Sequence, residues 1–249
     1  MTEILLNHHS ATVLPFYETP NDIYFILEQK DPRYKPPFFD KRLNFLGGNW
    51  KKGGNIDKSP IETVSREIRE EFWCQHEDLE SLNELLGQDF FKEEPEIRAT
   101  YNQKALQKII PIGKMFNESL EHVGDFKVTI NPPIMDNRLV YGSTIFKKRL
   151  SRKEFKTIES VIEEFDGKLT TDTLKWESKI LAISLNEINQ ENRKFSWAYD
   201  HTLNHFLDSQ EKDYSKVIRP LSLVQIEEIT PKNLRSFEEL EKLGFKYSS

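Results

Sequence analysis

The sequence predicts an α/β protein, on three observations. Runs rich in β-branched and aromatic residues recur as strands, amphipathic runs of helical spacing alternate with them, and one apolar run leads through paired glycines into an acidic helix. With 249 residues and 37% hydrophobic content the chain can bury a real core, and it reads as one domain carrying insertions. A charged fraction of 31% and a net charge of −6 suit a soluble chain with no global attraction for nucleic acid or anionic membrane. An acidic protein that handles phosphate needs a metal to offset its own charge. The single cysteine, Cys74, excludes an intrachain disulfide and fits a reducing compartment. No 18-residue apolar run occurs, and MTEILLNHHSATVLPFYE lacks the basic region and apolar core of a signal peptide, so a cytoplasmic location is expected.

In order, residues 11–17 and 22–28 read as strands joined by the turn Thr19-Pro20-Asn21. His8 and His9, just before them, would point to opposite sides of an extended chain, as an exposed terminal pair. Residues 31–42 carry three prolines and read as a loop. Arg33, Tyr34, Lys35, Phe38 and Phe39 in it either form a lid that stacks a base and meets phosphate or simply pack over the sheet. Residues 42–46 read as a strand ending at Gly47-Gly48. A second glycine pair, Gly53-Gly54, precedes Ser59-Pro60, which suits a helix start with serine as cap and proline at the first helical position. Residues 76–87 and 95–108 read as helices, the second with Ile97, Tyr101, Ala105 and Ile109 on one side. Residues 123–130 and 138–148 read as strands around the turn Asn131-Pro132-Pro133. Residues 151–165 form an amphipathic helix stopped by Asp166-Gly167. A strand over 179–184 leads into a short helix at 185–188. Residues 195–207 form a helix with Trp197, Leu203 and Phe206 as core, and His201 and His205, at i and i+4, read as surface or packed rather than as metal ligands. Residues 214–229 suit a further strand or hairpin, and 231–243 a final amphipathic helix.

The chemistry concentrates in Arg66-Glu67-Ile68-Arg69-Glu70-Glu71. On a helix Glu67, Glu70 and Glu71 stand at i, i+3 and i+4, with Cβ atoms about 5–6 Å apart. Such acid runs also occur on ordinary solvated helices. Here, however, the run follows a strand and a glycine loop, and that order makes a cradle for phosphate and for Mg2+ or Mn2+, whose preferred ligands are carboxylate oxygens.

Residues 46–72 resemble the Nudix box, in which a Gly, five residues, a Glu and seven residues precede R-E-U-x-E-E-x-G-U, with U apolar. Arg66, Glu67, Ile68, Glu70 and Glu71 match its second half. The early Glu is absent: an ungapped alignment places Lys58 there, and an alignment on Gly47-Gly48 places Gly54 there. Glu62, four residues before Arg66, and Asp57 are the candidates to serve the arginine instead. Trp73 stands where the box has its second glycine, which suggests that the helix runs on without a left-handed stop.

The resemblance to Nudix hydrolases implies an α/β/α sandwich with a mixed central sheet. Its core would span about 10–75 and 121–208, with a helical insertion over about 76–120 that shapes a pocket or a dimer contact. A C-terminal extension over about 209–249 could support a homodimer. It implies metal-dependent hydrolysis of a diphosphate bond in a nucleoside diphosphate linked to another moiety, a small-molecule nucleotide substrate. Glu67, Glu70 and Glu71 would hold Mg2+ or Mn2+, with Glu70, Arg66 and Glu177 serving catalysis, Glu177 as ligand or general base before the 179–184 strand. Gly47, Gly48, Arg33 and Lys52 would meet the phosphates. The missing early Glu supports a second reading, a Nudix-like nucleotide-binding or regulatory module without turnover. The intact REIREE opposes it.

Overall fold

The first two strands, β1 (His9–Glu18) and β2 (Ile23–Gln29), form the predicted hairpin. The Thr19 backbone N–H donates to the Asp22 carbonyl at 2.8 Å, and the Thr19 hydroxyl accepts from the Asp22 N–H at 2.9 Å. In the computed structural model, which describes residues 8–31, 41–50, 57–74, 103–130, 139–175, 178–217, 224–228 and 236–245, the hairpin then splays. Its strands pair from Phe16↔Phe25 to Glu18↔Ile23, and the next extended segment enters the gap between them. Within that segment β3 (Leu43–Asn44) pairs with β2, and β4 (Leu46–Trp50) pairs antiparallel with the first half of β1, from Val13↔Leu46 to His9↔Trp50.

The strand therefore runs on through Gly47-Gly48 to Trp50 instead of ending at the glycines. Gly47, at φ +128°, lies so close to β1 that a Cβ there would stand 2.4 Å from the Ala11 carbonyl oxygen. Only glycine lets the wedge seat against β1 in that conformation.

On its other edge β1 pairs in parallel with β6 (Leu139–Arg149), followed by antiparallel β5 (Glu121–Ile130) and β8 (Val224–Glu228). The far edge of β2 carries antiparallel β7 (Lys179–Ser184), at the predicted bounds. The result is a mixed α/β fold with one mixed sheet of eight strands, or seven if β3 and β4 count as one strand interrupted at Phe45. β8 builds the described part of the C-terminal extension into this same sheet.

Helices cover both faces. One apolar cluster joins Ala11 and Val13 of β1 to α1 (Pro60–Glu71), α2 (Gln103–Phe116), α3 (Arg152–Glu164) and α4 (Thr171–Lys175) through Val64, Ile68, Ile109, Phe116, Phe155 and Leu174. A second joins Leu14 and Phe16 to α5 (Leu185–Gln190) and α6 (Tyr199–Asp208) through Ile188, Leu203 and Phe206. The alternation of β1 between the two clusters is the period-2 pattern of a strand buried on both sides. A third cluster packs α7 (Phe237–Lys242) and Phe245 on Trp50 and Val140. Among the described residues, no helix is long and apolar enough to cross a membrane.

The elements differ from expectation at identifiable points. α3 falls within its predicted span, and Ser151 and Glu154 cap it with a reciprocal capping box that the sequence reading did not name. α2 instead runs through Pro111 to Phe116 rather than ending at 108, because Leu106, Ile109, Ile112 and Phe116 all bury in the first apolar cluster. α6 begins at Tyr199 and not at 195, since Trp197 (φ 51°) and Ala198 (φ 64°) are left-handed and cannot belong to a right-handed helix. The turn at 131–133 and the predicted helix over 76–87 lie outside the described residues.

α1 does stop at a left-handed residue, contrary to expectation, and the residue is Trp73 itself at φ 59°. The Cys74 N–H donates to the Arg69 carbonyl at 2.8 Å and the Trp73 N–H to that of Glu70 at 3.4 Å, the paired bonds of a Schellman stop. The indole is fully buried in the cluster that holds Phe72 and Ile109, and that packing outweighs the backbone strain. Trp73→Ala should destabilise the protein by about 3–5 kcal/mol. Trp73→Gly should destabilise it by about 1 kcal/mol less, because glycine takes the left-handed conformation freely. Urea unfolding of the two variants reads the difference, and an alanine variant as stable as the glycine one would refute the left-handed stop.

His9 is the opposite of exposed. It is fully buried between Thr144, whose hydroxyl lies 2.6 Å from Nε2, and the rings of Phe237 and Phe245. Thr144 in turn donates to buried Asp125 at 2.6 Å, so the histidine must supply the proton to Thr144 from Nε2. Burial lowers the His9 pKa from 6.5 to about 3, against the pull of Asp125. A histidine held neutral in the fold contributes stability that is complete above pH 6.5 and lost as the pH falls toward 3, at about 1.4 kcal/mol per pH unit. The His9 ring resonances should stay at their neutral positions from pH 8 to pH 5 by NMR; a midpoint near 6.5 would contradict the burial.

Candidate functional site

The wedge between β1 and β2 opens a cavity of about 410 Å3. Its floor is β4, where Gly47, Gly48 and Asn49 face α1. α1 starts as predicted, with Ser59 extended before Pro60, although the Ser59 side chain makes no capping bond. Thr63, Val64 and Ile68 bury against the sheet, and this orientation brings Glu67 and Glu71, one turn apart, to the cavity wall. The Glu67 carboxylate lies over Gly48, where a Cβ would come within 2.2 Å of its Cδ. Gly47, Gly48, Glu67 and Glu71 are thus brought together. Glu70 points away from the cavity with 41% of its side chain exposed.

Arg66 ties the motif to the preceding loop. Its Nε donates to Asp57 Oδ2 at 3.0 Å, Nη1 to Glu70 Oε2 at 3.0 Å, and Nη2 stands 2.9 Å from Glu67 Oε1. Burial works to lower the Arg66 pKa, but Glu67, Asp57 and Glu70 together outweigh it, so the guanidinium stays charged. Of the two candidates for the missing early acid, Asp57 is the partner. Glu62 reaches back to the Lys58 backbone N–H at 2.6 Å.

Glu67 and Glu71 at the cavity, and Glu28 beside them, all hold their protons more tightly than a free carboxyl does. Burial pushes the Glu71 carboxyl well above 4.5, and the nearby charges of Glu28 and Asp172 push it further against the pull of Lys30. Glu67 is raised by burial against the opposing charge of Arg66, and Glu28 by burial against Lys30. Lys30 Nζ lies 2.5 Å from Glu28 Oε2, while Glu28 Oε1 is buried without a hydrogen-bond partner. Glu28, Glu67, Glu71 and Asp172 supply the hard oxygen donors that Mg2+ or Mn2+ takes. Among the described residues no three acidic, histidine or cysteine side chains form a ready-made ligand set. A cation bound here would have to draw these carboxylates in, in competition with Arg66 for Glu67 and Lys30 for Glu28.

The remaining wall is aromatic. Tyr199 stacks on Phe45 at 4.5 Å between ring centroids, and His8 on Tyr141 at 5.2 Å. The Tyr141 hydroxyl donates to the Trp197 carbonyl at 2.7 Å, and Ser10 Oγ lies 3.3 Å from the Tyr199 hydroxyl. Trp197 belongs to this wall and is half-buried, not a core residue of α6. His205, expected on α6, sits 3.6 Å from Glu228.

Arg33, Lys52 and Glu177 lie outside the described residues. Sequence reasoning missed Glu28, Lys30, Asn44, Tyr141, Asp172, Trp197 and Tyr199 as cavity groups. The one local signal among them was the charged end of β2, Glu28-Gln29-Lys30-Asp31, which places acid and base where an otherwise apolar strand leaves the core. No protein-family model matches the chain, and no curated protein matches it in sequence.

Proposed function

We propose that this chain is a Nudix-type hydrolase that cleaves, with a divalent cation, the diphosphate bond of a nucleoside diphosphate joined to another group. The observation that carries the reading is that Glu67 and Glu71, one turn apart after a glycine wedge, share a cavity with Gly47-Gly48, while Arg66 of the same motif is clamped by Asp57. Asp57 answers the strongest objection from sequence, the absence of the early Glu.

Glu67 and Glu71 would hold the Mg2+ or Mn2+, with Glu28 and Asp172 beside them, while Glu70 lies outside the cavity and pairs with Arg66. The cation would supply charge neutralisation of the diphosphate and acidification of the attacking water. Arg66 positions the motif by bracing α1 against the loop at Asp57. Gly48 leaves the space that the Glu67 carboxylate occupies. Lys30 offers an ammonium to the phosphate oxygens at the same wall. Glu71, desolvated and flanked by the charges of Glu28 and Asp172, is the carboxylate whose ionised form a bound cation would relieve most.

The test is divalent-metal-dependent release of mononucleotide from a panel of dinucleotides and nucleotide sugars. Turnover that needs Mg2+ or Mn2+ and fails in Glu67→Gln supports the reading. Nucleotide binding without turnover of any panel member favours the binding module, a reading to which the closed Arg66–Glu67 ion pair lends support.

A further inference from the structure

The wall of the cavity formed by β3 and the start of α6 holds groups for which the diphosphate chemistry has no use. Asn44, the last residue of β3, is 6% exposed and lines the cavity, and its Oδ1 is buried with no hydrogen-bond partner. An amide oxygen left in that state carries the full cost of its desolvation, which a ligand N–H would remove. Trp197 lines the same cavity. It is held there by two consecutive left-handed non-glycine residues, Trp197 and Ala198, and by the Tyr141 hydroxyl on its carbonyl. Backbone strain of this kind persists only where the surrounding structure enforces it, and here it places an indole at a cavity wall.

We infer that this part of the cavity is a nucleobase site, in which a base stacks on Trp197 and the Asn44 amide reads its edge, with adenine the preferred base. The inference rests on the reading of the cavity as a nucleoside diphosphate site and adds which nucleoside. Stacking on an aromatic face tolerates every base, so the choice falls to the amide. A primary amide offers one donor and one acceptor side by side. Adenine presents the complementary pair on both of its edges, N6–H beside N7 and N6–H beside N1, and asparagine pairs with it in two-point fashion. Guanine offers only acceptors, O6 and N7, on its major-groove edge and matches the amide on its other edge alone, O6 beside N1–H, where adenine matches it on both.

Calorimetric titration with AMP, GMP and ribose 5-phosphate tests this. AMP should bind at least about tenfold more tightly than ribose 5-phosphate, through stacking, and more tightly than GMP, through the amide. Trp197→Ala should lose about tenfold for AMP and leave ribose 5-phosphate unchanged. Asn44→Asp, the same size but acceptor-only, should invert the AMP-to-GMP ratio, because a carboxylate suits the N1–H and N2–H donors of guanine. The ratio is unaffected by any general weakening from the added charge, and Trp197→Phe serves as a second variant should the alanine variant not fold.

Equal affinity for AMP and GMP, or a parental ratio in a folded Asn44→Asp protein, would overturn the inference. An adenine preference in a protein that turns over no diphosphate supports the base site and removes the hydrolase. Metal-dependent turnover of the dinucleotide and nucleotide-sugar panel with equal affinity for AMP and GMP keeps the hydrolase and removes the adenine site.

Discussion

Glu71→Gln should abolish diphosphate hydrolysis, by at least about a hundredfold in kcat/KM, in a protein that melts no lower than the parent at pH 7. Loss of activity follows from removing a charged oxygen donor from the wall where Glu67 also stands. Retention of stability follows from the surroundings of the carboxylate. It is desolvated beside Glu28 and Asp172, and its pKa lies well above 4.5. A carboxyl raised in the folded state penalises folding once ionised. The penalty is complete above the folded pKa and disappears as the pH falls to the unfolded value near 4.5. Glutamine carries no such penalty, so the variant should gain most over the parent at pH 8 and nothing at pH 4.5. Melting curves at the two pH values read the gain. Added Mg2+ should raise the melting temperature of the parent more than that of the variant, because only the parent keeps the full donor set. Glu70→Gln should cost less activity, since that side chain is exposed and turned toward Arg66. An active Glu71→Gln enzyme, or one that melts well below the parent at pH 8, would mean that the carboxylate serves a stabilising contact and not the chemistry.

What could be read from the sequence is what is local. β7 and α3 depend on a few neighbouring residues, and both stand where the pattern places them. The pairing of Glu67 with Glu71 is a property of one helix turn and is equally local. The other half of the site is not. Glu28 and Asp172 reach Glu71 from β2 and α4, more than a hundred residues apart from each other, and no spacing announces such a meeting. The wedge is hidden for a different reason. A two-residue β3 and a glycine-bearing β4 show no alternation, so the feature that opens the cavity leaves no periodic trace. Trp73 and Trp197 mislead because tertiary packing holds each in a left-handed conformation that local preference disfavours. The proline in α2 misleads in the same way, since burial of four apolar side chains outweighs one lost backbone bond.

Gly47 and Gly48 are adjacent, yet alanine at each should fail in a different way. At Gly47 a Cβ meets the Ala11 carbonyl at 2.4 Å and Thr12 Cα at 3.0 Å, both backbone atoms of β1, with φ at +128°. Neither obstacle can rotate away. The conformational strain and the clash together should cost about 2–5 kcal/mol, read as an earlier urea midpoint. At Gly48 the obstacle is the end of a flexible side chain, the Glu67 carboxyl at 2.2–2.6 Å, and the backbone is not left-handed. Glu67 can swing aside, so Gly48→Ala should keep its stability to within about 1 kcal/mol. The displaced carboxylate then loses its place over β4 and its ion pair with Arg66, and activity should fall at least about tenfold. Substituting one glycine unseats the wedge; substituting the other empties the position beside it that the Glu67 carboxylate occupies. Full activity in Gly48→Ala would show that the location of Glu67 over the glycine is irrelevant to the reaction. Parental stability in Gly47→Ala would show that β4 does not press on β1 as described.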